Sequence, residues 1–512
     1  MRNPALVAAV AAGKASALAT RALGRGGGTA LPGLVAHAIY PRVLRDLTSQ
    51  LPDGSVMVTG TNGKTTTSRM LGSILQAAGI QPLHNRSGSN LERGLIATMV
   101  GAATPAAGLP RRLRAGLFEV DEATVPAVVA AVRPRVALFN NLFRDQLDRY
   151  GEIDTVYSRW RSALPALVPR STIVLNADDP AIAYLAQTPR LRARPFTYGI
   201  ADTHHALDAL PHAADSISCP RCNSRLRYDL ILLSHLGHWS CPACGLERPR
   251  PDVEATHIEL HGTDSSHLTV STPAGEMHLT LRVPGLYNVY NALSAISGAL
   301  AFGLPPAAIK QGLEQFAAAF GRIERVTIPG PNNNTLLMAL VKNPVGFNEV
   351  LRMLFPTAEQ AFVDQAERGA GNSPEVEIEG GSEIQNPKSK IGVPSGPPKS
   401  LLIIINDLTA DGRDVSWLWD VDFEILAASP GSVRSVYASG LRSADMAVRL
   451  KYAGLDPAII TEESGIATAL DAAIQALPPN ETLYVCPTYT AMLSFRKLLH
   501  DRGWVQSQFW ED

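Results

Sequence analysis

A surplus of charge is the first thing missing from this sequence: 46 Lys and Arg stand against 47 Asp and Glu, a formal net charge of -1, and charged residues make up only 18% of the 512. That balance supplies no broad positive field, so a general nucleic-acid binder is excluded. Long apolar runs are missing too. The Ala-rich stretch Met1–Leu23 carries Arg2, Lys14 and Arg21, and Lys14 interrupts it short of a signal-peptide core or of the roughly 20 residues that cross a membrane. A short amphipathic helix packed on the main body is expected there, and no transmembrane segment. Cysteine is scarce, with five in all, four of them in the pairs Cys219/Cys222 and Cys241/Cys244. Eighteen residues separate the pairs, which is ribbon spacing for tetrahedral Zn²⁺: four thiolates close the shell, so the role is structural and the compartment reducing. Zinc ribbons also bind nucleic acid, but this segment has no basic-aromatic stripe. Cys486, in the apolar run Leu483–Pro487, is expected to be a buried structural thiol.

What is present is alternation of strand and helix patterns. The length calls for two or three domains, because a single core stops growing at roughly 250–300 residues. A β-branched strand at Ser55–Thr59 runs through a Gly-containing turn into a helix at Thr65–Gln76. Strands near Leu117–Val120, Arg135–Asn140 and Thr172–Asn176 follow, with helices at Thr124–Val132 and Ile153–Ala166 between them. This order predicts an α/β fold with a mainly parallel sheet flanked by helices. Residues 201–255 break the rhythm and read as an insertion, before strand character resumes at Thr256–Leu260 and His267–Ser271. An Ala- and Asn-rich helix over Pro284–Gly303 and a hinge at Gly321–Val326 lead to a last domain, whose strand Leu401–Ile405 is strongly apolar. Within that domain Glu367–Ser400 shifts to Gly, Pro, Ser, Glu and Lys, a composition that cannot offset the entropy of ordering and is expected to stay mobile.

The motif that carries chemistry is Val58-Thr-Gly-Thr-Asn-Gly-Lys-Thr-Thr-Thr67. Backbone amides of such a turn at a helix N-terminus cradle phosphate, with Thr61, Asn62, Gly63, Lys64, Thr65 and Thr66 as the candidate contacts. Lys64 reaches the β/γ oxygens and the Thr65 hydroxyl ligates Mg²⁺. The usual spacing has Gly where this chain has Val58. The wording Gly-Thr-Asn-Gly-Lys-Thr-Thr resembles the Mur ligase and folylpolyglutamate synthase superfamily. Other blocks follow in that superfamily's order. Glu119, ending the strand in Phe-Glu-Val-Asp-Glu, stands where such ligases keep a Mg²⁺-binding glutamate; a solvated charge cluster with Asp121 and Glu122 is the plainer alternative. Asn140–Gly151 is similar to the Asn-x-x-x-Asp-His-Leu-Asp block but has Gln146 for the His, which leaves the number of metal ions open. Leu175–Pro180, with Asn176 and Asp178, and Pro284–Ala292, with Asn288 as an adenine partner, resemble blocks that hold base and ribose. Gly321-Arg-Ile-Glu324 resembles the hinge block.

Several stretches narrow the resemblance to the MurT family, the ligase subunits of lipid II isoglutaminyl synthase: Gly24–Gly33, Asn85–Gly94, Asn343–Asn348, Asp411–Asp420, Ser439–Ala447 and Pro487–Met492. About 50 residues precede the phosphate loop, too few for the UDP-holding domain of classical Mur ligases, as a lipid-linked substrate would allow. The resemblance implies a Mur-type central ATPase domain over 46–325 with the zinc ribbon inserted at about 201–255. An N-terminal helical segment over 1–45 precedes it, and a Rossmann-like α/β domain over 326–512 follows. It implies ATP-dependent amidation of the α-carboxylate of D-glutamate in lipid II through an acyl phosphate, with Lys64 and Glu119 catalytic and ATP, Mg²⁺ and Zn²⁺ as cofactors. The setting would be the cytoplasm, at the inner face of the plasma membrane. Ammonia would come from a class-I glutaminase subunit resembling GatD, whose Cys–His pair an Asp of this chain completes. Asp411 is favoured for that role, with Asp407 and Asp414 as alternatives; a helix cap or turn is the ordinary reading of each. A stand-alone amino-acid-adding ligase of the Mur or folylpolyglutamate type is the competing reading.

Overall fold

The architecture is that of a computed structural model in which residues 3–22, 30–85, 90–144, 153–316, 323–355, 397–428 and 431–506 are described. Gln146, the rest of its block to Gly151, residues 24–29, 86–89 and 321–322, and residues 367–396 of the Gly/Pro/Ser/Glu/Lys stretch lie outside them.

Strands buried on both faces read as continuous apolar runs. Such runs form β1 (Gly54–Thr59), β3 (Leu113–Glu119), β4 (Val136–Phe139) and β5 (Thr172–Asn176), with the shorter β2 (Gln81–His84) at one edge and β6 (Arg194–Ile200) beyond β5. β7 (Arg227–Leu233) and β8 (Leu236–Ser240) make a separate hairpin, while β9 (Val253–His261), β10 (Ser265–Thr272) and β11 (Gly275–Leu281) extend the main sheet. Its order is β11-β10-β9-β6-β5-β4-β1-β3-β2, parallel from β9 to β2 and antiparallel across β9, β10 and β11. One face is covered by the helices Lys64–Ala77, Leu286–Phe302 and Pro306–Glu314, and the other by Glu92–Ala102 and Val125–Val132. Helix Leu286–Phe302 is buried on nearly every side, which explains its small Ala, Ser, Gly and Asn residues.

The N-terminal helix runs over Pro4–Ala22 and docks through Leu6, Ala9, Val10 and Gly13. Lys14 lies at its surface and donates to the Gly101 carbonyl at 3.0 Å. Leu18, Leu31, Leu34 and Ile39 stay exposed on this N-terminal region.

A second sheet is built from β12 (Ile323–Thr327), β13 (Thr335–Ala339), β14 (Lys399–Ile404), β15 (Val433–Ser439), β16 (Ile460–Glu462) and β17 (Thr482–Pro487), in the order β12-β13-β17-β14-β15-β16. β12 crosses the expected boundary at 325/326 and pairs with β13, so the second sheet begins at Ile323. Lys399 and Ser400, expected in the mobile stretch, open β14, because Ser400 pairs with Leu483 and Ser435 inside the sheet. Cys486 is fully buried in β17, and burial pushes its thiol up to about 12. Glu324 forms an ion pair with the buried Arg496 of helix Tyr489–Asp501; desolvation still raises its carboxyl above the ordinary value.

Candidate active site

In open α/β sheets, ligand sites gather at the carboxyl ends of central strands. Here β1, flanked by β3 and β4, delivers the chain to the loop Gly60–Gly63 and helix Lys64–Ala77. Val58 is inside β1, paired with Glu119 and Leu138, so the turn starts only at Gly60, which explains the missing glycine. Gly63 has φ +79°, and a Cβ there would sit 1.9 Å from Asn291 Oδ1; only glycine fits. No side chain caps the helix, and a helix start of this kind presents its first-turn amides to an anion.

The loop is stapled to the segment after β4. Asn62 N donates to Asn141 Oδ1 at 2.8 Å, Asn141 Nδ2 to Asn62 O at 3.2 Å, and the Thr61 hydroxyl to Phe143 O at 3.1 Å. Below it, Asn140 Nδ2 donates to Thr67 Oγ1 at 3.0 Å, and Asn140 Oδ1 accepts from the Ser294 hydroxyl at 2.7 Å. These buried bonds make the loop rigid before any ligand arrives.

Thr65 Oγ1 donates to Glu119 Oε1 at 3.1 Å. Asn85 holds the Glu119 backbone from both sides, accepting from its N–H at 2.9 Å and donating to its carbonyl at 2.8 Å. A hydroxyl and a carboxylate side by side suit Mg²⁺, which demands oxygen ligands. Lys64 Nζ donates to Gly60 O at 2.6 Å and pairs with Glu122 at 3.0 Å. Asp121 and Glu122 are buried rather than solvated, so the plainer alternative does not hold. Glu122 compensates a cation that burial would otherwise penalise; a phosphate oxygen arriving at Nζ would compete with it. Sequence reasoning missed Glu122 as a partner of Lys64.

It also missed the contribution of the second sheet. Lys342 Nζ donates to Thr61 O at 3.0 Å, and Asn343 Nδ2 to Asn62 Oδ1 at 2.9 Å, while Asn343 Oδ1 caps the helix Pro344–Leu354. A cleft opens between the sheets here, lined by Phe143, Tyr287, Tyr290, Asn291, Leu340 and Val345 among others.

Three expected nucleotide contacts are engaged by protein groups. Asn288 donates to Pro284 O at 2.7 Å and accepts from Asn291 at 3.2 Å, so its amide is bound within its own helix and Asn291 faces the cleft. Asp178 is fully buried, accepting from Ile200 N, Arg248 Nε and the Tyr290 hydroxyl at 2.9, 2.6 and 2.8 Å. Asn176 is buried beside it and accepts from Asp178 N. Asp178 is thus satisfied by protein groups, whereas Asn176 Nδ2 is buried without a hydrogen-bond partner among the described residues.

The four cysteines converge. Sγ atoms of Cys219 and Cys244 are 3.6 Å apart, those of Cys222 and Cys241 3.5 Å, and all four lie within 4.8 Å of one another. Zn–S bonds of about 2.3 Å would set tetrahedral sulfurs roughly 3.8 Å apart, so the residues fit such an ion. Asn223 and Gly245 take matching left-handed conformations after the two pairs, φ +62° and +69°, giving two equivalent turns. Ser224 holds the Cys222 thiol down at about 6, while burial pushes Cys219 up to about 12.

The three aspartates expected near β14 differ sharply. Asp411 points inward: one oxygen accepts from Thr490 N at 2.8 Å, the other from the Thr490 hydroxyl, and burial raises its carboxyl above the usual range. Asp407 pairs with Arg442 at 2.7 Å. Asp414 is exposed and accepts from Ser416 N at 2.8 Å, which keeps it below the ordinary value. Exposed Leu408 and Trp419 lie on the same segment, with exposed Leu441 after β15 and Tyr489 opening the helix Tyr489–Asp501.

Comparison with known proteins fits this geometry. Residues 58–219 match the Mur ligase middle domain and residues 390–492 the MurT ligase C-terminal domain. The backbone is similar to a pseudomurein peptide ligase type C from Methanothermus fervidus (TM-score 0.61, 20% identity, 89% of this chain and 80% of that one). It is also similar to MurF from Acinetobacter baumannii (TM-score 0.60, 17% identity, 91% and 80%). In sequence it is 32% identical over 501 residues, 97% of both chains, to the lipid II isoglutaminyl synthase (glutamine-hydrolyzing) subunit MurT of Streptococcus pneumoniae. The subunit of the same name from Staphylococcus aureus is 30% identical over 447 residues, 87% of both. The two structures speak for the fold alone, but identity of this order along nearly the full length decides the family: the chain belongs to MurT.

Proposed function

We propose that the chain is the synthetase subunit of a glutamine-hydrolysing lipid II isoglutaminyl synthase. ATP phosphorylates the α-carboxylate of D-glutamate in the lipid II stem peptide, and ammonia displaces phosphate from the acyl phosphate to leave D-isoglutamine. The observation that carries the reading is the grouping of Lys64, Thr65 and Glu119 at the end of β1 and β3, in a chain similar along its length to MurT subunits. The chemistry asks for positioning and charge neutralisation. In this reading Thr65 and Glu119 hold Mg²⁺, which when bound offsets phosphate charge. Lys64 leaves Glu122 for the β/γ oxygens, and the amides of Gly63 to Thr66 receive the rest. The cleft with Tyr287 and Asn291 supports a base site there rather than at Asn288.

The reading divides the chain into a helical N-terminal segment, an ATPase domain up to about residue 322 and a C-terminal α/β domain. Zn²⁺ is the ion assigned to the ribbon, supported by its sulfur spacing. A partner subunit is implied by the relatives' names, and a glutaminase resembling GatD is the one proposed. Asp414 replaces Asp411 as the favoured acid for its Cys–His pair, because Asp414 is exposed while both Asp411 oxygens are engaged by Thr490. The apolar rim of Leu408, Trp419 and Leu441 supports docking at this edge. Exposed Leu18, Leu31, Leu34 and Ile39 support work at the inner face of the plasma membrane, where lipid II would be met.

The test is mass spectrometry of lipid II incubated with the chain, a candidate glutaminase, ATP, Mg²⁺ and either glutamine or ammonium. Replacement of one hydroxyl by an amide with both donors is the expected result. Unchanged lipid II alongside ATP hydrolysis stimulated by an amino acid overturns amidation in favour of a stand-alone ligase.

A further inference from the structure

The outer end of the first sheet carries histidines for which the ligase chemistry has no use. Side chains at alternate positions of a strand share a face, which puts His257, Glu259 and His261 together on β9, and the antiparallel register sets His267 of β10 opposite Glu259. Glu259 Oε2 lies 3.6 Å from His261 Nε2 and 3.5 Å from His267 Nδ1, and those two ring nitrogens are 3.3 Å apart. The three donors therefore form a nearly equilateral triangle. A tetrahedral ion with bonds of about 2.0–2.1 Å to nitrogen and oxygen holds its ligands roughly 3.3–3.4 Å from one another. The two ring nitrogens are also within hydrogen-bond distance, which one neutral ring accepting from the other satisfies, and metal counting separates that contact from shared coordination.

The surroundings have the organisation of a metal site. His257 Nε2 is 3.0 Å from the other Glu259 oxygen, an outer contact of the kind that orients a ligating carboxylate. His257 Nδ1 in turn lies 3.8 Å from Asp202, a buried carboxylate that accepts from Ile258 N and His204. The ligand atoms are open to solvent, with Glu259 and His261 about 30% exposed, so an ion can enter. We propose that Glu259, His261 and His267 bind a divalent transition metal of borderline softness, Zn²⁺ before Mg²⁺, at three protein positions with a fourth left for water. This site is separate from the four-cysteine ribbon. It brackets the turn Gly262–Asp264, which receives Arg325 of β12 through Asp264 at 3.2 Å and Thr263 at 3.3 Å, so a bound ion stiffens a contact between the two sheets.

The test is equilibrium dialysis of the full chain against Zn²⁺, with metal counted by mass spectrometry, for the wild type and a His261→Ala, His267→Ala double variant. All four ribbon cysteines stay intact as an internal reference. The wild type is expected to hold one equivalent more than the variant, and Glu259→Gln, which neutralises a direct ligand, to weaken that extra equivalent by more than the roughly 10–100-fold that outer-shell changes cost. With Co²⁺ the extra equivalent should give a nitrogen/oxygen d–d spectrum without a thiolate charge-transfer band. Equal metal content in wild type and double variant overturns the proposal, and so does an extra equivalent with a thiolate band. The substituted residues lie on the surface, and matching circular dichroism melts of the metal-free proteins verify that the fold is kept.

Discussion

Two loops leave the carboxyl ends of central parallel strands, one after β1 and one after β14, and they are finished to different degrees. The loop after β1 is complete within the chain: Thr65 already touches Glu119, Lys64 is compensated by Glu122, the backbone is stapled by Asn141, and Asn140 holds the Thr67 side chain. The loop after β14 ends in a rim of exposed Leu408 and Trp419, with its acids either turned inward or facing solvent. A group that works inside one chain can be preorganised by that chain's own packing, whereas a group that works on a partner has to remain outside it.

That contrast can be broken most severely at the first loop. Lys64→Ala should lower amidation by on the order of 10²–10³-fold with glutamine and with ammonium alike, read as product mass per unit time. Damage at the second loop should be selective. Asp414→Asn is expected to cut glutamine-driven amidation by roughly 100-fold while ammonium-driven amidation stays within about twofold. If Asp411→Asn shows that pattern instead, the inward acid turns outward on docking and the contrast between the loops fails. Trp419→Ala should weaken partner binding by about 2 kcal/mol, roughly thirtyfold in Kd by calorimetry, with ammonium-driven turnover untouched. The smallest effect concerns Asp411 alone. Its folded carboxyl value is raised by burial, so its contribution to stability is full below the unfolded value and is lost as pH rises through the folded one. Asp411→Asn should flatten that part of the acid limb in denaturant titrations.

What could be read from sequence was whatever a local pattern determines. The Gly-Thr-Asn-Gly-Lys-Thr-Thr wording between a strand and a helix points to a phosphate loop, and Glu119 is placed by its resemblance to the glutamate that Mur ligases keep at the end of such a strand. The cysteine pairs carry their own spacing. Asn288 and Asn291 could not be told apart, because both lie on one buried helix and only its packing against Gly63 decides which faces the cleft. The burial of Asp178 could not be foreseen, because the arginine that pairs with it comes from 70 residues further along, out of the ribbon. Lys342 and Asn343 reach a loop 281 residues earlier, a distance over which no pattern in one sequence is informative. Glu122 was in view, but its burial beneath Lys64 depends on how the whole sheet is covered.

Arg248 follows the second cysteine turn, and its guanidinium ends on Asp178, the carboxylate that also holds the Tyr290 hydroxyl at the cleft wall. The ribbon is thus wired to the place where a nucleotide base would rest, although its sulfurs take no part in the reaction. With an ion in the ribbon as proposed, its removal would slacken the turn that carries Arg248, and through Asp178 the Tyr290 wall of the cleft.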